Sequence, residues 1–188
     1  MIIRDASAGD WTHIWPFFDS IVSEGETYAY PEDLTAESAR SLWMEPPPGR
    51  TVVAADGERV LGSAKMGPNR PGRGAHVATA SFMVDPGARG RGVGRALGTS
   101  VLEWATAAGY HGMQFNAVVE TNPAVALWRS LGFIVIGTVP QAFDSATHGL
   151  VGLHVMYRRL SPEPRVGPGP VVSRTVSWDG RAASPGDR

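Results

Sequence analysis

The sequence predicts an α/β protein built on a mixed β-sheet, and three observations carry that reading. Strand-like runs crowd the first half, strands alternate with helix-period segments in the second, and a glycine-rich turn joins one strand to one helix. At 188 residues the chain fits one domain plus a remainder, and 43% apolar residues are enough for one buried core. Fibrous, collagen-like and wholly disordered classes are excluded. Lys+Arg number 17 against 18 Asp+Glu, so no bulk field exists to recruit a polyanion and nucleic acid is not an expected partner. The absence of cysteine excludes disulfides and thiolate catalysis and fits a cytoplasmic location. Met1-Ile2-Ile3-Arg4-Asp5 carries an acid where a signal peptide needs a longer apolar run, and no run reaches the roughly 20 apolar residues that span a bilayer. No membrane association is expected.

The elements follow in order. Ile2 to Arg4 is a short strand, and Ser7 or Asp10 caps a helix carrying Trp11, Ile14, Trp15, Phe18 and Val22 at helical spacing. Thr35-Ala36-Glu37-Ser38 opens a second helix through Trp43, ended by Pro46-Pro47-Pro48. Thr51 to Ala55 and Arg59 to Met66 are strands joined by a turn at Asp56-Gly57. Ala75 to Val84 is a further strand, broken at Asp85-Pro86-Gly87. From Val93, the positions Leu97, Val101, Trp104 and Ala108 describe one face of a helix that stops at Gly109. Met113 to Val119 is a strand, Asn122 to Leu131 a short helix, and Phe133 to Val139 and Leu150 to Arg159 the last two strands. The folded unit is 1–160. Residues 161–188 are dense in Gly and Pro and read as a flexible tail, with Val171, Val172 and Trp178 as material for a short docking strand.

Arg89-Gly90-Arg91-Gly92-Val93-Gly94 lies between a strand and a helix, where residues without side chains let consecutive N–H groups turn toward one anion. A Walker loop needs Lys and then Ser/Thr after its last Gly, but Gly94 is followed by Arg95 and Ala96. A dinucleotide fingerprint needs a third small residue, and counting from Gly90 or Gly92 gives Arg95 or Leu97. On the glycines alone, a pyrophosphate nest and a plain helix-starting turn fit equally. The neighbouring Arg89, Arg91 and Arg95 favour phosphate contact over a merely solvated surface.

Arg89 to Gly94 matches Arg/Gln-x-x-Gly-x-Gly/Ala after Phe82-Met83-Val84-Asp85-Pro86, and so resembles motif A of the GNAT N-acetyltransferases. Asn122 to Phe133, NPAVALWRSLGF, is similar to the Asn-x-x-Ala-x-x-(Tyr)-x-x-x-Gly-Phe segment of the same superfamily. The resemblance covers 1–160 and implies a GNAT-like fold, a mixed central sheet flanked by helices, with acetyl-CoA as co-substrate and no metal. By it, the Val84 backbone bonds the pantetheine arm, Arg89, Gly90, Arg91, Gly92, Val93, Gly94 and Arg95 surround the pyrophosphate, and Asn122 lies beside the thioester. Many members place a Tyr near the coenzyme sulfur as a general acid, and that position is Trp128 here. Indole offers no comparable proton, so Asn122 or a water it holds is the candidate for stabilising sulfur. The resemblance leaves room for a homodimer.

Gly67 to His76, Phe115 to Asn122 and Ser23 to Tyr28 are similar to segments of the L-azetidine-2-carboxylate N-acetyltransferases, which also carry Trp for Tyr. That likeness implies that Asn116 and Ala117 bind a substrate carboxylate through N–H groups and that Phe82 lies near the acetyl carbonyl. It puts Thr79 where those proteins have a substrate-contacting Asn. Thr27-Tyr28 before Pro31 and the helix ending in Trp43 resemble phosphinothricin-type acetyltransferases, placing Glu24 and Tyr28 toward the substrate.

Acetyl transfer needs a free amine lone pair, a polarised thioester carbonyl and a stabilised thiolate, and positioning can supply most of this. His76 is a candidate base beside a purely structural role, with Glu24, Glu26, Glu120 or a water relay as alternatives. Asp144, Thr147, His148 and His154 show no secure metal-ligand spacing. The leading expectation is N-acetylation of a small amino acid or amino-acid-like toxin such as a proline analogue. The alternatives are acetylation of a peptide or protein amine and a non-catalytic acyl-CoA-binding module. A cleft closed by the Glu24 to Trp43 segment favours the small molecule.

Overall fold

The computed structural model describes residues 1–160, and the tail expected over 161–188 lies outside them. The strands are β1 (Ile2–Asp5), β2 (Arg50–Asp56), β3 (Arg59–Pro68), β4 (Val77–Val84), β5 (Gly112–Val119), β6 (Ile134–Ser145) and β7 (Gly149–Arg159). They form one sheet in the order β1-β2-β3-β4-β5-β7-β6, with β4 and β5 parallel and every other pair antiparallel. The sheet is therefore mixed, as the sequence predicts.

Helices α1 (Trp11–Ser23) and α2 (Ala36–Trp43) cover one face, where Phe18, Ile14 and Trp43 pack with Val53, Val60 and Met83. Helices α3 (Val93–Ala107) and α4 (Ala124–Ser130) cover the other, where Leu97, Val101 and Trp128 pack with Leu61, Ala64 and Phe115. Ser7 and Asp10, expected to cap α1, instead close a 3-10 turn, Ala8–Asp10, that leads into it. The Ser7 N–H and hydroxyl both donate to Asp10 at 2.7 Å, and Arg4 adds two bonds at 2.8 and 2.7 Å to the same buried carboxylate. The Arg4 guanidinium, then Ser7, hold Asp10 well below the usual carboxylate range. Thr35 accepts the Ser38 N–H at 3.2 Å to start α2. At the end of α3, Tyr110 N–H returns to Ala105 O at 3.0 Å around Gly109, whose φ is +81°.

Two elements differ from expectation. The strand expected to end at Val139 continues as β6 to Ser145 through a bulge between Val139 and Phe143, with Gln141 at φ 51°. The strand expected from Ala75 begins only at Val77, because Gly72–Gly74 forms a 3-10 turn that leaves Ala75 and His76 ahead of the ladder. Gly62 lets α3 sit close to β3, since a Cβ there would meet Met83 O at 2.8 Å and Val93 Cγ1 at 3.0 Å.

Candidate active site

The site originates in a sheet defect. β4 and β5 pair only at Val77 with Gly112 and Ala78 with Met113, then part. Asp85 N–H bonds Leu61 O on β3 at 2.9 Å, so the alternate residues Phe82 and Val84 turn their N–H and C=O groups into the gap. Such groups need partners. Tyr28 supplies them for Phe82: its hydroxyl donates to Phe82 O at 2.6 Å and accepts from Phe82 N–H at 3.0 Å. Burial, then the neighbouring Tyr30, push this phenol above its ordinary range, so it does not ionise near neutrality. Tyr28 is a wall and a strand substitute. Its hydroxyl is thereby engaged as a donor, although Tyr28 lines both cavities of this site, and Phe82 N–H is unavailable to an acetyl carbonyl while it is so bonded.

A groove of about 800 Å³ runs from this gap past the glycine turn, lined by Val84, Arg89, Gly90, Gly92, Val93, Gly94, Arg95, Asn122 and Trp128 among others. Gly90 and Gly92 adopt φ of +78° and +79°, which only glycine takes without strain. The first bond of α3 runs from Ala96 N–H to Gly92 O at 3.0 Å, so the N–H groups of Val93, Gly94 and Arg95 precede the helical ladder and suit an anion. Arg89 reaches Glu24 at 3.5 Å and Arg95 reaches Ser130 at 2.9 Å, both at the groove wall. Arg91 departs from expectation: its guanidinium turns to Asp56 at 2.9 Å in the β2–β3 turn, and it does not line the groove.

A second cavity, about 290 Å³, shares Thr27, Tyr28, Phe82, Asn122, Ala124 and Trp128 with the groove and adds Thr79, Asn116 and Ala117. The bulge between Phe115 and Val118 leaves Asn116 and Ala117 without register partners on β7, beside the gap to β4. The Asn116 side chain donates to Asn69 at 2.6 Å and accepts from Gln114 at 2.8 Å. Asn122 faces both cavities; its Oδ1 accepts the Ala124 N–H at 2.8 Å, which fixes the side chain and leaves Nδ2 as a donor. Trp128 is buried against Phe82 with ring centroids 4.6 Å apart, a wall rather than an acid.

His76 is not with these residues. It precedes β4 at the closed end of the gap, six positions and about 20 Å of strand from Phe82, and its Nδ1 lies 3.1 Å from Arg73 O. Glu120 is also diverted, accepting the Gly152 N–H at 2.6 Å. Glu26 fastens a roof. Ser145 Oγ donates to it at 2.6 Å and Thr147 N–H at 2.8 Å, with the Thr147 hydroxyl adding a third bond, while Ala146 N–H bonds Gly25 O at 3.1 Å. These bonds, Ser145 foremost, hold Glu26 below the usual carboxylate range and make it a poor base. Thr147 and His148 at the groove, and Tyr30 and Phe143 at the cavity, escape sequence reasoning. Thr147 and His148 sit at a hairpin tip that meets Glu26 through Ser145, 119 residues away in sequence and invisible to local pattern.

A parallel strand pair that parts beside a glycine nest and a helix start, with a groove leading to an adjoining cavity, has the architecture of a coenzyme A-dependent acyltransferase. Residues 12–133 match the Acetyltransferase (GNAT) family, and the chain belongs to it. It is 64% identical to the structure of a GCN5-related N-acetyltransferase from Kribbella flavida, with a TM-score of 0.83 over 85% of this chain and 97% of that one. It is 33% identical over 147 residues to an L-methionine sulfoximine/L-methionine sulfone acetyltransferase of Pseudomonas aeruginosa, covering 74% of this chain and 83% of that protein. It is 25% identical, with a TM-score of 0.76 over 93% and 96% of the two chains, to a phosphinothricin acetyltransferase from Sinorhizobium meliloti in complex with acetyl-CoA. The chain is thus an N-acetyltransferase with acetyl-CoA as its co-substrate.

Proposed function

We propose that the acceptor is the amine of a small amino acid or amino-acid-like compound, proline analogues included. The observation that carries this is the small acceptor cavity of about 290 Å³, which lies beside a groove where Glu26 ties the segment from Glu24 to Tyr30 to the β6–β7 hairpin, and which suits a compact acceptor better than an extended peptide. The names of the Pseudomonas and Sinorhizobium relatives support the same class.

In this reading the N–H groups from Gly92 to Arg95, with Arg89 and Arg95, hold the pyrophosphate. Val84 N–H receives the pantetheine arm or thioester carbonyl, since Phe82 is committed to Tyr28. Asn116 and Ala117 offer N–H groups to the acceptor carboxylate. The amine nitrogen bonds the acetyl carbon, the C–S bond breaks, the electron pair stays on sulfur, where Asn122 Nδ2 donates as charge develops, and the proton that the acylated nitrogen sheds passes through water to the thiolate. Among the described residues lining the acceptor cavity there is no Asp, Glu, His, Lys or Arg. The amine therefore binds as the free base or loses its proton to water. Purified protein supplied with acetyl-CoA and a panel of amino acids, amines and peptides, with free thiol as the readout, tests this. Turnover confined to peptides or lysine side chains would overturn it.

A further inference from the structure

The acceptor cavity does not end at Asn116. A further chamber of about 400 Å³ opens from it, and the two share Tyr30, Thr79, Ala80, Ser81 and Asn116. Thr79 and Ser81 point to one face of β4, two residues apart, and Lys65 on β3 stands in register with Ser81. At the far wall Lys65 Nζ lies 3.1 Å from Glu45 Oε1 and 2.6 Å from Leu42 O. The ammonium has three donors, and two are assigned by these bonds. Glu45 Oε1 carries the pair, and no bond is assigned to its Oε2. A cation and an anion thus sit together, side chains 19% and 36% exposed, at the end of a passage otherwise lined by neutral groups.

We infer that this chamber is a subsite for the end of the acceptor side chain, and that its Lys65–Glu45 pair selects a neutral head carrying both an acceptor and a donor, as in a sulfoximine or a carboxamide. The inference rests on the amino-acid reading of the main cavity and extends it. With the amine at the Phe82 and Asn122 end and the carboxylate at Asn116 and Ala117, the side chain has one way to run, over Thr79 and Ser81 toward Lys65. Ser81 and Lys65 stand across a single inter-strand spacing of about 4.8 Å, so the run from one to the other is short. The charge logic excludes the simpler heads. An anionic head gains Lys65 and meets Glu45, and a cationic head meets the reverse. An apolar head strips water from both charges without replacing it. A dipolar head gives its oxygen to Lys65 and its N–H to Glu45, and neither charge loses a partner.

The test is a matrix of three acceptors and three enzymes, read as kcat/KM from thiol release. L-Methionine sulfoximine has an acceptor and a donor, L-methionine sulfone has acceptors only, and L-norleucine has no polar head. The wild-type chain is expected to favour sulfoximine over sulfone by about tenfold, the worth of one hydrogen bond to a charged group. Glu45→Met should bring that ratio close to one. Lys65→Met should lower the ratio of sulfoximine to norleucine by about tenfold, with thermal unfolding recorded to show that both variants are folded. Equal use of all three acceptors by the wild-type chain, or a uniform loss across all three in both variants, overturns the subsite and leaves the amino-acid reading standing. Failure to acetylate any free amino acid, norleucine included, overturns both.

Discussion

Removing one oxygen atom from Tyr28 tests the sheet defect directly. Tyr28→Phe keeps the ring that stacks on Tyr30 at 5.4 Å and meets Trp43 edge-on at 6.2 Å, so apolar packing is conserved. It deletes the bonds of 2.6 and 3.0 Å that satisfy the Phe82 C=O and N–H. A buried polar group left unpaired costs about 1–3 kcal/mol, and two are exposed here to a cavity that water can partly enter. The expected loss is therefore about 2–4 kcal/mol. At about 2–4 °C per kcal/mol for a protein of this size, the thermal midpoint should fall by about 5–15 °C. Urea unfolding gives the free energy independently, and its slope should be unchanged because the exposed surface is the same. The freed Phe82 N–H also becomes able to meet a thioester carbonyl, so affinity for acetyl-CoA should change relative to affinity for coenzyme A alone, which has no such carbonyl. A stability change under about 0.5 kcal/mol would show that the hydroxyl is not the partner that holds β4 apart from β5.

The remaining expectations concern the nest, the sulfur end, the acceptor and the fold. Gly92→Asp forces a side chain onto φ +79° and adds negative charge where the anion binds, and calorimetry should show acetyl-CoA affinity lost in a folded protein. Unchanged affinity would remove the loop from the coenzyme site. Asn122→Asp keeps the oxygen that caps α4 while removing the donor, so kcat should fall at least about tenfold with the melting point nearly constant. If Asn122→Ala is crippled and Asn122→Asp is fully active, the residue is a cap and nothing more. With no base in the cavity, kcat/KM should rise with pH to an inflection that follows the amine pKa of each acceptor. An inflection fixed across acceptors would reveal an enzyme base. Asp10 is held low in the folded state and returns to about 3.9 when unfolded, so its contribution is complete above that pH and fades as pH falls below it. Asp10→Asn should flatten the loss of stability between about pH 4 and pH 2, seen by urea titration.

The legible parts of the fold were those whose causes are local. Thr35, Ser7 with Asp10, and Gly109 announce helix ends because each cap closes within a few residues. The glycine nest was legible for the same reason. β6 was cut short because Pro140 is a sound local stop signal, and only pairing with β7 across a bulge overrides it. Arg91 looked like its neighbours in sequence, and the turn that brings Asp56 to it belongs to another hairpin. His76 looked like a strand residue beside the substrate segment, yet where β4 and β5 part is set by register, and register is not written in either strand alone.

That same dependence explains why the acceptor chamber carries so few charges. A splayed parallel pair exposes backbone donors at fixed spacing, and those donors are already charged in the partial sense that anion recognition requires. Thr79 and Ser81 on β4, and Asn116 and Ala117 on β5, then need only be small and neutral to leave the backbone accessible. A carboxylate or lysine placed among them would compete for the same N–H and C=O groups and would have to be desolvated whenever substrate displaced the water around it. Chemistry by position follows from the defect itself. Tyr28 on one side of the gap spends two polar contacts on the scaffold and Asn122 on the other spends one, and the difference separates them. The Tyr28 hydroxyl spends its one hydrogen on Phe82 O and accepts from Phe82 N–H, so it has no proton left to donate. Asn122 anchors through its oxygen and lines both cavities, which under the proposed function leaves its amide group as the donor that responds when charge appears on sulfur.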